Sequence, residues 1–288
     1  MTAPAVAEPL IPPRARSAVL QRATLYVLLA LVSALFFVPF LWSVSTAFKT
    51  LPDTANFGLL PHRWTTAAWK TVWTQYDFKL YIRNSLFLAV TITAINLTLS
   101  SIGGYAFARL RFPGRELLFI LVLGTLMIPD QLRLIPVFVM LTNWHLIASF
   151  KGYILINVVT AVNLFFMRQY FLTIPKDFEE AAKLDGAGYF KTFWRVMLPL
   201  AVPAIAALTI LQFQGIWNDF FWPLILFGQG TPHLYTVQLG LAEFALTYQT
   251  NWPALMAGSL IAIAPILLIF IAFQRYFIAG VVASGVKG

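Results

Sequence analysis

Gln212, Gln214, Asn218 and Asp219 are the residues best placed for polar chemistry in an apolar setting, because they interrupt the hydrophobic stretch 200–227. At 100° per residue the four fall on an arc of roughly 160°, with Gly215 and Trp222 between them. An acid at the bilayer centre costs about 2.5–3.5 kcal/mol, so such residues face a cavity or a partner helix. Asp219 falls toward the outer half of the stretch, where that cost is lower. Amides and a carboxylate beside Trp217 offer hydroxyl partners and a flat apolar face, the chemistry a sugar requires. Helix–helix hydrogen bonding is the alternative use of the same groups. Asn157, Thr160 and Asn163 form a weaker set of the same kind.

A second set lies in the polar segment 174–199. Pro175, followed by Asp177, Glu179 and Glu180, marks a helix N-terminus, where carboxylates complement the dipole. Gly186 and Gly188 bracket a turn, since glycine accepts positive φ without steric cost. Phe190, Phe193, Trp194 and Met197 recur at helical spacing on one face of a second helix, and Pro199 leads into the next apolar stretch. A short helix, a glycine turn and an amphipathic helix make a knob suited to insertion in a partner's groove. An interfacial connecting helix is the plainer alternative.

Other chemistry is poorly provided for. The chain has no cysteine, which removes disulfides, thiolate metal sites and a thiol nucleophile. Its three histidines, His62, His145 and His233, are far apart and read as exposed loop residues, so no metal site is expected. No Gly-x-x-x-x-Gly-Lys-Ser/Thr phosphate loop is present, so ATP would have to bind on another chain. A polytopic membrane enzyme would need a cluster of acids, bases or ligands that the sequence lacks.

The elements that must position these residues follow from composition. Of 288 residues 59% are hydrophobic and 11% charged, against about 25% charged in soluble domains. Six stretches reach the roughly 20 apolar residues that cross a bilayer: 25–45, 86–106, 117–139, 153–172, 200–227 and 255–276. All are expected to be helical, because lone strands leave backbone groups unpaired in lipid. Pro129, Asp130, Gln131 and Arg133 interrupt the third. Arg14, Arg16 and Arg22 precede the first, whose apolar run is too long for a signal peptide, so it reads as a retained anchor.

Placing the N-terminus in the cytoplasm puts thirteen lysines and arginines inside and seven outside, the orientation the positive-inside rule favours. The net charge of +9 is spread over these polar segments, an arrangement that suits anionic lipid rather than nucleic acid. The expected organisation is a loose cytoplasmic tail over 1–20, a first crossing and outer loop over 21–83, a core over 84–276 and a cytoplasmic tail over 277–288. Trp64, Trp69 and Trp73 suit a loop resting at the membrane interface.

The string Glu180-Ala181-Ala182-x-x-Asp185-Gly186-Ala187, followed by Leu198-Pro199, resembles the EAA loop of ABC-importer membrane subunits. The likeness extends along most of the chain. Pro39-Phe-Leu-Trp-Ser-Val-Ser-Thr-Ala-Phe-Lys49, Asn84-Ser-Leu, Tyr105-Ala-Phe-Ala-Arg109-Leu-Arg-Phe-Pro-Gly114-Arg115, Trp217-Asn218-Asp219-Phe220 and Gly285-Val-Lys287-Gly288 are similar to carbohydrate-uptake permeases of the maltose-transporter type, in particular their shorter, six-crossing subunit. Asp219 stands where many relatives have glutamate, one methylene longer.

The resemblance implies an all-α integral membrane protein with six transmembrane helices, the type I ABC importer permease fold and a cytoplasmic coupling helix. It implies a bacterial inner-membrane location and an ATP-driven, binding-protein-dependent importer. The partners it implies are a second permease subunit, two ATPase subunits that carry ATP and Mg, an extracytoplasmic solute-binding protein and a sugar. No cofactor is implied for this chain. Glu180, Ala181, Ala182, Asp185, Gly186 and Pro199 would then couple to the ATPase, with Gly285, Lys287 and Gly288 reaching it from the tail. Gln212, Gln214, Trp217, Asn218 and Asp219 would line the substrate pathway. Another solute, such as glycerol phosphate or a peptide, is the alternative cargo.

Overall fold

The computed structural model describes residues 13–55, 58–228, 230–245 and 250–285, and every regular element among them is helical. The helices are α1 (Pro13–Thr46), α2 (Ala67–Thr74), α3 (Phe78–Arg109), α4 (Arg115–Gly124), α5 (Asp130–Asn143), α6 (Phe150–Asn157), α7 (Ala161–Thr173), α8 (Asp177–Leu184), α9 (Tyr189–Thr192), α10 (Leu198–Leu200), α11 (Val202–Trp217), α12 (Phe221–Phe227), α13 (Val237–Glu243) and α14 (Trp252–Gly285). Residues 1–12 of the expected N-terminal tail, with Lys287 and Gly288 of the C-terminal one, lie outside the described residues. Helix α14 continues to Gly285, through much of the segment expected as a tail.

Three helical segments are long and apolar enough to cross a bilayer unbroken: Gln21–Thr46, Phe78–Arg109 and Trp252–Gln274. Three more spans arise if each bent pair counts as one, which gives up to six. The pairs are Arg115–Met127 with Asp130–Asn143 at 103°, Phe150–Asn157 with Ala161–Thr173 at 41°, and Tyr189–Leu200 with Val202–Trp217 at 72°. The third stretch, expected as one interrupted crossing, is therefore turned through more than a right angle. Ile128 and Pro129 are extended there, and proline lacks the N–H that would continue the helical ladder. Pro199 and Pro203 flank the 72° bend for the same reason.

Helix α3 is the centre of the bundle, packed along α7 on one side and α11 on the other. Its approach to α7 depends on two glycines. A Cβ on Gly104 would lie 2.6 Å from the Met167 Cβ and 2.9 Å from the Arg168 nitrogen, and one on Gly103 would lie 2.6 Å from Leu164. Small residues let membrane helices approach this closely, where dispersion rather than water expulsion holds them together. By contrast α1 touches the bundle chiefly along α14 and exposes Leu35, Phe36 and Phe37. Leu267, Leu268 and Ile271 of α14 are exposed as well. In water such surfaces would aggregate, whereas lipid or a partner helix satisfies them.

Candidate functional site

The segment 174–199 folds as a helical hairpin. Asp177, Glu179 and Glu180 occupy the first turn of α8, and Gly186, at φ +73°, closes its end. The Ala187 N–H donates to the Ala182 carbonyl at 2.9 Å and the Gly186 N–H to Lys183 at 3.0 Å, the bond pattern of a glycine-terminated helix. Helix α9 follows and passes into a π-helical turn over Phe193–Met197 before α10. That wider turn splits the expected aromatic face. Phe193 and Met197 are buried against Tyr105, Met167 and Phe171, whereas Phe190 and Trp194 point outward.

The two adjacent glutamates divide their roles. Glu180 is exposed, together with Ala181, Asp185 and Leu184 at the tip, whereas Ala182 is buried. Glu179 turns inward, where its Oε1 accepts the Tyr105 hydroxyl at 3.0 Å and its Oε2 lies 3.3 Å from Arg109 Nε. Arg109 also donates through Nη2 to the Phe171 carbonyl at 2.7 Å and to the Ile174 carbonyl. One buried guanidinium thereby joins the end of α3, the end of α7 and the base of the hairpin. Arg109 and Glu179 are nearly enclosed, their side chains 5% and 12% exposed, so each charge depends on the other. Pro199 is exposed at the start of the 72° bend.

A cavity of about 660 Å³ opens where three broken helices meet. Its wall takes residues 128–130 from the α4–α5 break, Asn157 and Thr160 from the α6–α7 break, and Asp219 from the α11–α12 break. Non-helical backbone at membrane depth is tolerated only against protein or a water-filled cavity. Asp219 Oδ2 accepts the Tyr153 hydroxyl at 2.7 Å, and Oδ1 accepts the Trp222 N–H at 3.3 Å, which caps α12. Beside it, Asn163 Nδ2 donates to Gln212 Oε1 at 2.7 Å and to Asn96 Oδ1 at 2.8 Å. Asn96 Nδ2 then donates to the Asn157 carbonyl at 3.0 Å, satisfying a group freed where α6 stops. Thr160 Oγ1 is buried at this wall without a partner.

The candidate polar residues therefore separate. Gln212 and Asp219 line the cavity with Gly215 and Trp222. Gln214 and Asn218 are exposed and outside its wall, and Gln238 Nε2 donates to Asn218 Oδ1 at 3.3 Å. Trp217 is turned away from the cavity and almost fully buried, stacked on Phe213 with its indole N–H donating to the Ala262 carbonyl at 3.0 Å. Asp130, Gln131 and Arg133, which interrupt the third apolar stretch, also join the wall. Their polarity within an apolar stretch was the available signal. Glu179, Tyr105 and Arg109 were missed as a unit because they lie in separate motifs. The three histidines remain separate, and no group of three or more potential metal ligands occurs among the described residues.

The family model described as "Binding-protein-dependent transport system inner membrane component" matches residues 97–282. The arabinooligosaccharides transport system permease protein AraQ of Bacillus subtilis (strain 168) is 41% identical over 205 residues, covering 71% of this chain and 72% of that protein. The diacetylchitobiose uptake system permease protein NgcG of Streptomyces coelicolor is 34% identical over 265 residues, covering 90% of this chain and 87% of its own. A crystal structure of a bacterial ABC transporter involved in the import of the acidic polysaccharide alginate contains a chain with a similar fold. Its TM-score is 0.78 at 24% identity, covering 94% of this chain and 100% of that one.

Proposed function

The chain belongs to the family of binding-protein-dependent transport system inner membrane components, and on that premise we propose that it forms the membrane pathway for a sugar or oligosaccharide and takes its driving force from separate ATPase subunits through the 174–199 hairpin. It is a permease subunit and not itself an enzyme. The observation that carries the coupling half is the division between Glu180, exposed on the outer face of α8, and Glu179, held inward by Arg109 and Tyr105. A knob anchored on its inner face and exposed on its outer one can transmit a push from a partner.

In this reading ATP and Mg reside on two ATPase subunits, and a second permease subunit completes the pathway. An extracytoplasmic binding protein delivers the solute. Both termini and the hairpin face the cytoplasm, as the lysine and arginine distribution favours. Closure of the ATPases moves the hairpin, and the bundle alternates between outward and inward openings around the cavity that Gln212 and Asp219 line. The carbohydrate assignment is supported by relatives named for arabinooligosaccharides and diacetylchitobiose.

Reconstitution of the complete complex in proteoliposomes, with ATP hydrolysis measured across a panel of loaded binding-protein ligands, tests this reading. Stimulation by oligosaccharides is expected. Stimulation by glycerol phosphate or peptides alone would replace the cargo assignment, and hydrolysis indifferent to every solute would remove the coupling.

A further inference from the structure

We propose that the wall this chain contributes to the passage is a charge filter, with Asp219 admitting neutral polyhydroxylated solutes and rejecting anionic ones. The inference rests on reading the 660 Å³ cavity as the solute passage.

The charged residues of the wall are Asp130, Arg133 and Asp219. Arg133 Nη2 donates to Asp130 Oδ1 one turn away, so these two neutralise one another at the mouth of the α4–α5 break. Asp219 has no such partner: no lysine or arginine forms an ion pair with it among the described residues. Its hydrogen bonds come from the Tyr153 hydroxyl and the Trp222 N–H, neither of which carries a charge. The wall therefore holds one carboxylate, Asp219, with no cationic partner among the described residues.

A uronate or phosphate entering here meets that charge at reduced dielectric, where like charges repel far more strongly than in water. Drawing Arg133 over to the solute does not help, because it strands Asp130 and leaves the same net charge. A neutral sugar meets no such barrier. Each carboxylate oxygen has two acceptor positions, so Asp219 can accept a hydrogen bond from a solute hydroxyl beside its present bonds. The Gln131 side chain and the Trp222 ring on the same wall offer an amide and an apolar face.

Equilibrium dialysis on the assembled complex, without the binding protein so that its specificity does not contribute, reads the filter directly. The probes are arabinotriose, maltotriose and triacetylchitotriose against trigalacturonate. At least one neutral trisaccharide is expected to bind about tenfold or more tightly than the triuronate. Asp219→Asn should shrink that gap, while Asp219→Glu should keep it; size-exclusion profiles establish that both variants assemble. Trigalacturonate bound as tightly as the neutral probes by wild type, or a gap unchanged in Asp219→Asn, overturns the filter and leaves the passage standing. No trisaccharide binding at all overturns the passage and the filter with it.

Discussion

Arg109, the last residue of α3, and Glu179, in the first turn of α8, form a buried ion pair at 3.3 Å across seventy positions of chain. The Tyr105 hydroxyl completes the arrangement on the glutamate, and two backbone carbonyls at the end of α7 hold the guanidinium. The pair ties the hairpin to the helix that also carries Asn96, and Asn96 joins the polar network beside the cavity. One continuous helix therefore spans from the base of the hairpin to the polar network beside the cavity.

Removing one member of this pair strands the other. Glu179→Ala leaves Arg109 buried and unpaired, at a cost of about 3–5 kcal/mol. Hydrogen exchange across 174–199 is expected to accelerate and coupling to fall. Tyr105→Phe deletes a single hydrogen bond and should cost only about 1 kcal/mol. Equal effects of the two substitutions would contradict the assignment of Arg109 as the anchor.

Gly186 is required for its backbone rather than for space. Its φ is +73°, and an added Cβ would meet nothing within 4 Å. A β-branched residue there costs about 1–2 kcal/mol, so Gly186→Val should distort the hairpin and reduce solute-stimulated ATP hydrolysis in an inserted chain. Gly186→Asn, which tolerates the left-handed region, should retain most of it. Identical activity of the two variants would show that the turn geometry does not matter.

Two further glycines separate packing from passage. Gly104→Val forces a side chain into Met167 and the α7 backbone, and overpacking of this kind costs about 1–3 kcal/mol or more. Loss of folded complex is expected, seen as lower thermal stability in detergent. Gly215 lines the cavity, and nothing lies within 4 Å of an added Cβ. Gly215→Leu should leave stability intact while lowering uptake; normal uptake would place the route elsewhere.

Acid should loosen the loop after α1 before the bundle itself. Asp53 Oδ1 lies 2.5 Å from His62 Nδ1, and Oδ2 accepts the His62 N–H at 3.0 Å. The side-chain hydrogen bond with His62 is the main cause holding Asp53 below the usual carboxylate range. A depressed acid contributes stability that is fully present above its unfolded pKa and is lost as pH falls through the folded one. Proteolysis of the loop should therefore rise in strong acid, and Asp53→Asn should flatten that rise. Glu243, on α13, has the opposite sign, because burial raises its pKa and deprotonation costs stability as pH climbs through the carboxylate range.

The parts of this architecture written in long local patterns were readable in sequence. Apolar length alone located α1, α3 and α14 as spans, and the glycine turn with its flanking acids located the hairpin. Quantities set by tertiary contact were not. Adjacent Glu179 and Glu180 carry the same local signal, and only the tertiary contacts with Tyr105 and Arg109 of α3 decide which turns inward. The polar arc assumed an unbroken helix to Asp219, but α11 stops at Trp217, and the indole is claimed by the Ala262 carbonyl rather than the cavity. Pro129 announced an interruption, yet nothing local specified a 103° turn.

The transmission of force through the hairpin is tested most directly by Glu180→Lys, which changes an exposed residue and leaves the Arg109–Glu179 anchor in place. Solute uptake and ATP hydrolysis should be measured together in proteoliposomes containing the assembled variant complex. The account predicts an intact complex in which binding-protein-stimulated hydrolysis and uptake are both lost. Uptake at the wild-type rate by this variant, or by the permease subunits with no ATPase present, would contradict it.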